Sequence, residues 1–309
     1  MISWRYHVIS IVAVVLAFGL GVLAGTAVVN DEFVSQLRAN TRRAQEQRDA
    51  AQAQAAQLDA FAEDLQPVLR DGILAGRSAT VLTMEGVDEP ARRTVSELTA
   101  AGVEVLATFD VTRRLADPDP DDVVALQKIL SVSSNEPATL RDRAAEALAV
   151  RLAVGSDGGD DDVLAAMLDE GLVTTDRDLD RAALQAIGGV GQPLVLAAGG
   201  TPPQGLPDPS AMLLPITERL VSLQADVAVV GPSDDAYGLV AQVRDAGGIP
   251  DCSLVTIDDI DLTIGGIALA MGIDRLLDDP DPAFRSGGDY GVSADRAVPG
   301  GEPPASCRI

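Results

Sequence analysis

Residues 78–109 read SATVLTMEGVDEPARRTVSELTAAGVEVLATF. Ser78–Met84 is a short apolar run rich in β-formers, which predicts a strand. Pro90–Ala101 has helical spacing, with Val95 and Leu98 on its apolar side. Ala101-Gly102 ends that helix, and Val103–Phe109 predicts the next strand. Strand, helix, glycine and strand within so short a span make a βαβ unit. Such a unit pairs its strands in parallel through a right-handed crossover.

The alternation returns further along the chain. Asp121–Ser131 and Ala138–Ala153 carry amphipathic spacing, punctuated by Pro118, Pro120 and Pro137. Gly155–Asp162 is a Gly/Asp loop. Asp162–Glu170 predicts a helix, Gly171–Thr174 a short strand and Asp180–Ile187 a helix. Leu194–Ala197, Asp226–Val230 and Ser253–Ile257 predict strands, separated by helices at Ala211–Gln224 and Asp234–Ala246. Leu262–Leu277 predicts a last, buried helix. The expected fold is therefore α/β, an open and mainly parallel sheet of Rossmann/flavodoxin-like class over residues 77–279. Pro280–Ile309, rich in Gly, Pro and Asp, reads as an exposed or disordered tail.

Upstream lies a different kind of sequence. Residues 31–70 predict one helical stalk. Leu37, Ala44, Ala51, Leu58 and Leu65 fall seven apart, and Val34, Thr41, Arg48, Ala55 and Ala62 fall three before each. That is an a/d heptad seam, weakened by alanine in the core and by Arg48 at an a position. Pro67 and Gly72 are expected to end it. Residues 1–30 predict a transmembrane signal anchor, because Val8–Val29 carries no charge and would span roughly 30 Å as a helix. A cleaved signal peptide is the competing reading, but its apolar region would be shorter. Ala13, Ala17, Gly21 and Gly25 place small residues on one helix face, as in membrane helices that associate closely. Counting basic residues on either side does not decide the orientation, since Arg38, Arg42 and Arg43 follow the segment while Arg5 precedes it.

The formal net charge of the 309 residues is −24. Through Arg70 there are seven acids and six arginines, about −1, so the remainder carries about −23. Such a domain repels nucleic acid and attracts cations weakly. Cys252 and Cys307 form no metal motif. They read either as one disulfide of an oxidising compartment or as a buried thiol and a tail thiol.

The only histidine is His7, beside the apolar run. Ser-His-Asp and Cys-His catalysis and HExxH zinc sites are thereby excluded from the predicted domain. No GxGxxG or GxxxxGK[ST] follows any predicted strand. The expectation is a protein that is not an enzyme and holds no resident cofactor. Asp258, Asp259 and Asp261 form the sharpest carboxylate cluster. They follow a strand directly, where a hard cation could bind, but capping of the next helix is the preferred reading. The acidic runs Asp117–Asp122 and Asp157–Asp162 lack EF-hand spacing and read as solvated loops. Met84, Met167, Met212 and Met271 are scattered, so core packing is their default.

Met1-Ile2-Ser3-Trp4-Arg5-Tyr6-His7-Val8-Ile9-Ser10, with Gly19-Leu20-Gly21-Val22-Leu23-Ala24-Gly25 after it, resembles the actinobacterial copper transporter MctB family. The stalk, the segment Thr256-Ile257-Asp258-Asp259-Ile260-Asp261 and the ending Gly288-Asp289-Tyr290-Gly291 resemble it too. The resemblance implies a cell-envelope protein with its bulk outside the cytoplasm and its N-terminus inside. It also implies a role in copper homeostasis, with copper as a transported ion and efflux across the outer envelope. A single helix and an α/β domain do not make a pore in lipid, so a homo-oligomer is expected. The alternative is a non-enzymatic scaffold that presents the acidic domain on an oligomeric stalk.

Overall fold

The computed structural model describes residues 4–159, 161–199, 208, 210–234, 238–246, 253–278, 287–291 and 294, without the side chains of residues 5, 23–35 and 54. The chain divides into two units, residues 1–60 and 61–309.

Helix α1 runs from Trp4 to Leu69, 66 residues. The transmembrane expectation for Val8–Val29 is overturned here. Among the described residues no helix is long and apolar enough to cross a membrane. Pro67 does not end the helix. It lies inside the last turn, where its missing N–H removes a single backbone bond and the helix runs on to Leu69. Ala13, Ala17 and Gly21 are exposed on this helix, as are Leu37, Ala44, Ala51 and Leu58. The surroundings of Gly25 and Val34 fall outside the described side chains, and Cys252 and Cys307 fall outside the described residues.

The second unit is the α/β domain. Its elements in chain order are β1 (Ser78–Met84), α2 (Asp88–Ala100), β2 (Glu104–Val111), α3 (Arg113–Ala116), α4 (Pro120–Leu130), α5 (Pro137–Val154) and α6 (Val163–Asp169). There follow β3 (Val173–Thr175), α7 (Arg181–Gln185), β4 (Leu194–Ala197), α8 (Ser210–Ser222) and β5 (Val227–Val230). The described chain continues with α9 (Leu239–Asp245), β6 (Leu254–Ile257), α10 (Thr263–Leu277) and β7 (Gly288–Tyr290). The sheet order is β3-β2-β1-β4-β5-β6-β7. Every pair is parallel except β2 with β3. The order reverses at β1 and β4, the switch point of a doubly wound sheet.

Such a sheet is buried on both faces, so its strands read as continuous apolar runs. LVLA, VAVV and LVTI of β4, β5 and β6 are buried at every position. On one face Leu82, Met84, Phe109, Leu196 and Val229 meet α5 and α8 through Leu148, Leu152, Ile216 and Leu220. On the other, Val81, Val195, Val255 and Ile257 meet α2 and α10 through Leu98, Leu269 and Ile273.

Two sequence expectations change. Gly288–Tyr290, read as part of an exposed tail, is a strand paired in parallel with β6. Tyr290 is buried within the second core. A three-residue strand flanked by glycines carries too little periodicity to stand out as one. The Asp117–Asp122 run is also more than a solvated loop. Asp119 accepts from the amides of Asp121 and Asp122 at 2.8 and 2.9 Å, and Asp122 accepts in return from the Asp119 amide at 3.3 Å. That capping box starts α4 behind Pro120. Asp162 caps α6 by accepting from the Leu164 and Ala165 amides, and it pairs with buried Arg151 at 2.8 Å.

Candidate functional site

The carboxyl ends of β5, β6 and β7 collect a set of charged groups, Arg244, Asp258, Asp259, Asp261 and Asp289. Helix α9 follows β5 and returns the chain toward β6, so its last turn stands beside β6. Arg244 occupies that turn. Its Nε donates to Thr256 Oγ1 at 2.8 Å, Nη1 to Asp258 Oδ2 at 2.9 Å and Nη2 to the Tyr290 carbonyl at 2.8 Å. Thr256 donates in turn to Asp289 Oδ1 at 2.6 Å. One guanidinium thus ties α9, β6 and β7, using the planar fork that suits arginine to such a joint. Gly291 completes it. Its φ is +118°, and a Cβ there would overlap the Asp258 carboxylate. Only glycine tolerates both conditions.

The three aspartates singled out in the sequence go to three different environments. Asp258 is buried against Arg244. Asp261 is exposed and accepts from the Ser233 amide at 2.6 Å and its hydroxyl at 2.7 Å. Asp259 is 1% exposed, and neither of its carboxylate oxygens has a hydrogen-bond partner among the described residues. Burial, then the neighbouring Asp258 and Asp261, push its carboxyl up to about 7, partly offset by Arg244. Close packing encloses it: a Cβ at Gly265 would overlap the Asp259 carbonyl.

Leu262 is the N-cap of α10, and no side chain bonds there. Asp261 is turned to Ser233 and Asp258 to Arg244, so the preferred capping role is not taken up. Among the described residues no three His, Cys, Asp or Glu groups are placed to hold a metal ion. Met84, Met167 and Met212 are buried in the core, so they offer no exposed thioether to a soft metal.

Two further features were not visible in the sequence. Asp88, Asp110 and Asp176 line a cavity of about 350 Å³ with Arg92. Burial, then Asp88, Asp176 and Glu85, raise the Asp110 carboxyl. Glu97 of α2 is buried and receives three groups. These are Arg70 Nη1 at 2.6 Å, Gln66 Nε2 at 3.1 Å and Arg93 Nε at 3.3 Å. It holds the foot of α1 to the sheet domain. Contacts at such sequence separations leave no local signal. The ending Gly288-Asp289-Tyr290-Gly291 did carry one, since the family resemblance marked it.

The fold and this edge define a class: a doubly wound acidic α/β domain preceded by a very long helix, with a buried acid and an arginine-tied strand at its carboxyl edge. The chain belongs to the MctB family, described as copper transport outer membrane protein, whose sequence profile matches residues 1–299. Proteins named copper transporter MctB from Mycobacterium bovis and from two strains of Mycobacterium tuberculosis are similar to it. Each is 24% identical over 300 residues, covering 90% of this chain and 93% of the relative.

Proposed function

We propose that this chain is a cell-envelope component of copper efflux, with copper as its cargo. The observation that carries the reading is the family match over nearly the whole chain. The relatives that bear a copper transporter's name share almost its full length. The charge supports it: an acidic domain of about −23 draws cations to its surface without trapping them. Copper passes such a surface transiently, held by carboxylates, which are hard donors that suit Cu(II) better than Cu(I). An α/β domain does not line a path through lipid, so transport on these terms takes several copies or a partner.

A deletion strain tests the role. It should hold more copper and tolerate less of it than its parent, and the intact gene should restore both. Unchanged copper content and tolerance would remove the copper reading. They would leave the envelope scaffold, which the exposed heptad seam of α1 favours.

A further inference from the structure

The foot of α1, inside the second unit, has two faces of opposite character. Gln66 and Arg70 lie on one, and both are bound to Glu97 of the same chain. Phe61, Leu65, Val68 and Leu69 lie beside them. Their spacings of four, three and one keep them within an arc of about 100°, the width of stripe with which a helix meets a core. Among the described residues this stripe belongs to neither core cluster. Phe61 is 62% exposed and Val68 81%. Leu69 is exposed and Leu65 half-buried. The chain therefore secures one side of the helix foot and leaves a large apolar strip open next to it.

We propose that the strip is the contact surface for a second copy of this chain, paired with it in parallel and in register along α1. Three observations select a second copy. The strip continues the heptads of the same helix: Leu65 stands seven after Leu58, and Leu69 seven after Ala62. Only a parallel partner with the same repeat matches the seam from Leu37 through Ala44, Ala51 and Leu58 to the foot. The g and e positions that face each other in such a pair are Asn40 with Gln45, Gln47 with Gln52 and Gln54 with Asp59, while Arg38 faces Phe33. None of these sets like charges against each other across a symmetric pair. Lastly, residues 1–70 carry about −1 of the −24 total, so two copies meet there with the least repulsion. Arg48 at an a position weakens the pair while disfavouring other registers, as single polar core residues do.

The test uses the full chain, dispersed in a mild detergent, with Cys252→Ser and Cys307→Ser as background. Leu58→Cys and Leu65→Cys at d positions should cross-link on oxidation with diamide to twice the chain mass. Ala60→Cys, facing away from the seam, should cross-link at least tenfold less. Phe61→Glu with Val68→Glu changes exposed side chains only. It should convert a dimer, weighed by light scattering, into a monomer with unchanged circular dichroism. A monomeric unaltered chain would overturn the proposal. So would equal cross-linking at Ala60, a dimer that survives the two glutamates, or a different protein captured at the strip. These readouts are independent of copper, so pairing and the transport reading stand or fall separately.

Discussion

Asp259 is the residue where burial and charge conflict most. Its carboxyl is raised to about 7, whereas an unfolded aspartate titrates near 3.9. Between these values the folded chain holds a proton that the unfolded chain has lost, so stability falls as pH rises through that window. The loss amounts to about 4 kcal/mol once the group is ionised. Asp259→Asn removes the ionisation and nearly preserves the shape. Its urea midpoint should fall less steeply from pH 4 to pH 8 than that of the unaltered chain, with Asp110 still contributing a decline, so that the variant is the more stable above pH 7. A parallel decline in both would show that Asp259 is not the source. The sequence marks Asp259 only as one of three clustered acids. Its separation from Asp258 and Asp261 depends on Arg244 and Ser233, which the fold brings in from other elements.

At the level of elements, β7 is the part most dependent on a single side chain. Three residues of edge strand are too few to be stable alone. Tyr290 anchors them in the core, and Arg244 reaches the Tyr290 carbonyl and the Asp258 carboxylate together. Arg244→Met keeps the aliphatic stem but leaves Asp258 buried without its ion pair, at a cost of roughly 3–5 kcal/mol. Amide exchange at Gly288–Tyr290 should quicken by at least a hundredfold in this variant, while exchange in β1 and β4 should quicken far less. Uniform acceleration across the sheet would mean that the arginine supports the whole domain rather than the strand. The βαβ unit at residues 78–109 was legible because it is long and its periodicity changes at Gly102. β7 was not, because its stability comes from partners at Thr256, Asp258 and Arg244.

Across the whole molecule the charge is divided unevenly, with about −1 in residues 1–70 and about −23 beyond. Copies that pair along α1 bring two acidic domains into the same neighbourhood, and salt screens the repulsion between them. Raising sodium chloride from 20 to 300 mM should tighten the dimer several-fold, measured by sedimentation equilibrium. Weakening with salt would instead point to attraction between opposite charges at the contact. The same distribution bears on copper. Titrating the full chain with Cu(II) should give weak, salt-sensitive uptake at several carboxylates, and Cu(I) should give less, since Met84, Met167 and Met212 are packed inside.

The amino-acid sequence by itself determined the α/β class, the alternation of strands and helices, the long heptad helix, the acidity of the domain and the family. These properties are local or additive: periodicity, composition and motif are all read along the chain. Tertiary structure alone decided which carboxylate is buried without a partner, which arginine ties the last strand to the sheet, and which face of α1 remains open beside Glu97. It also set aside the transmembrane segment expected from the apolar run, which among the described residues is part of one helix not long and apolar enough to cross a membrane. Each of these depends on residues distant in sequence or on the extent of a helix, and pairing at a distance leaves no periodic trace in the chain.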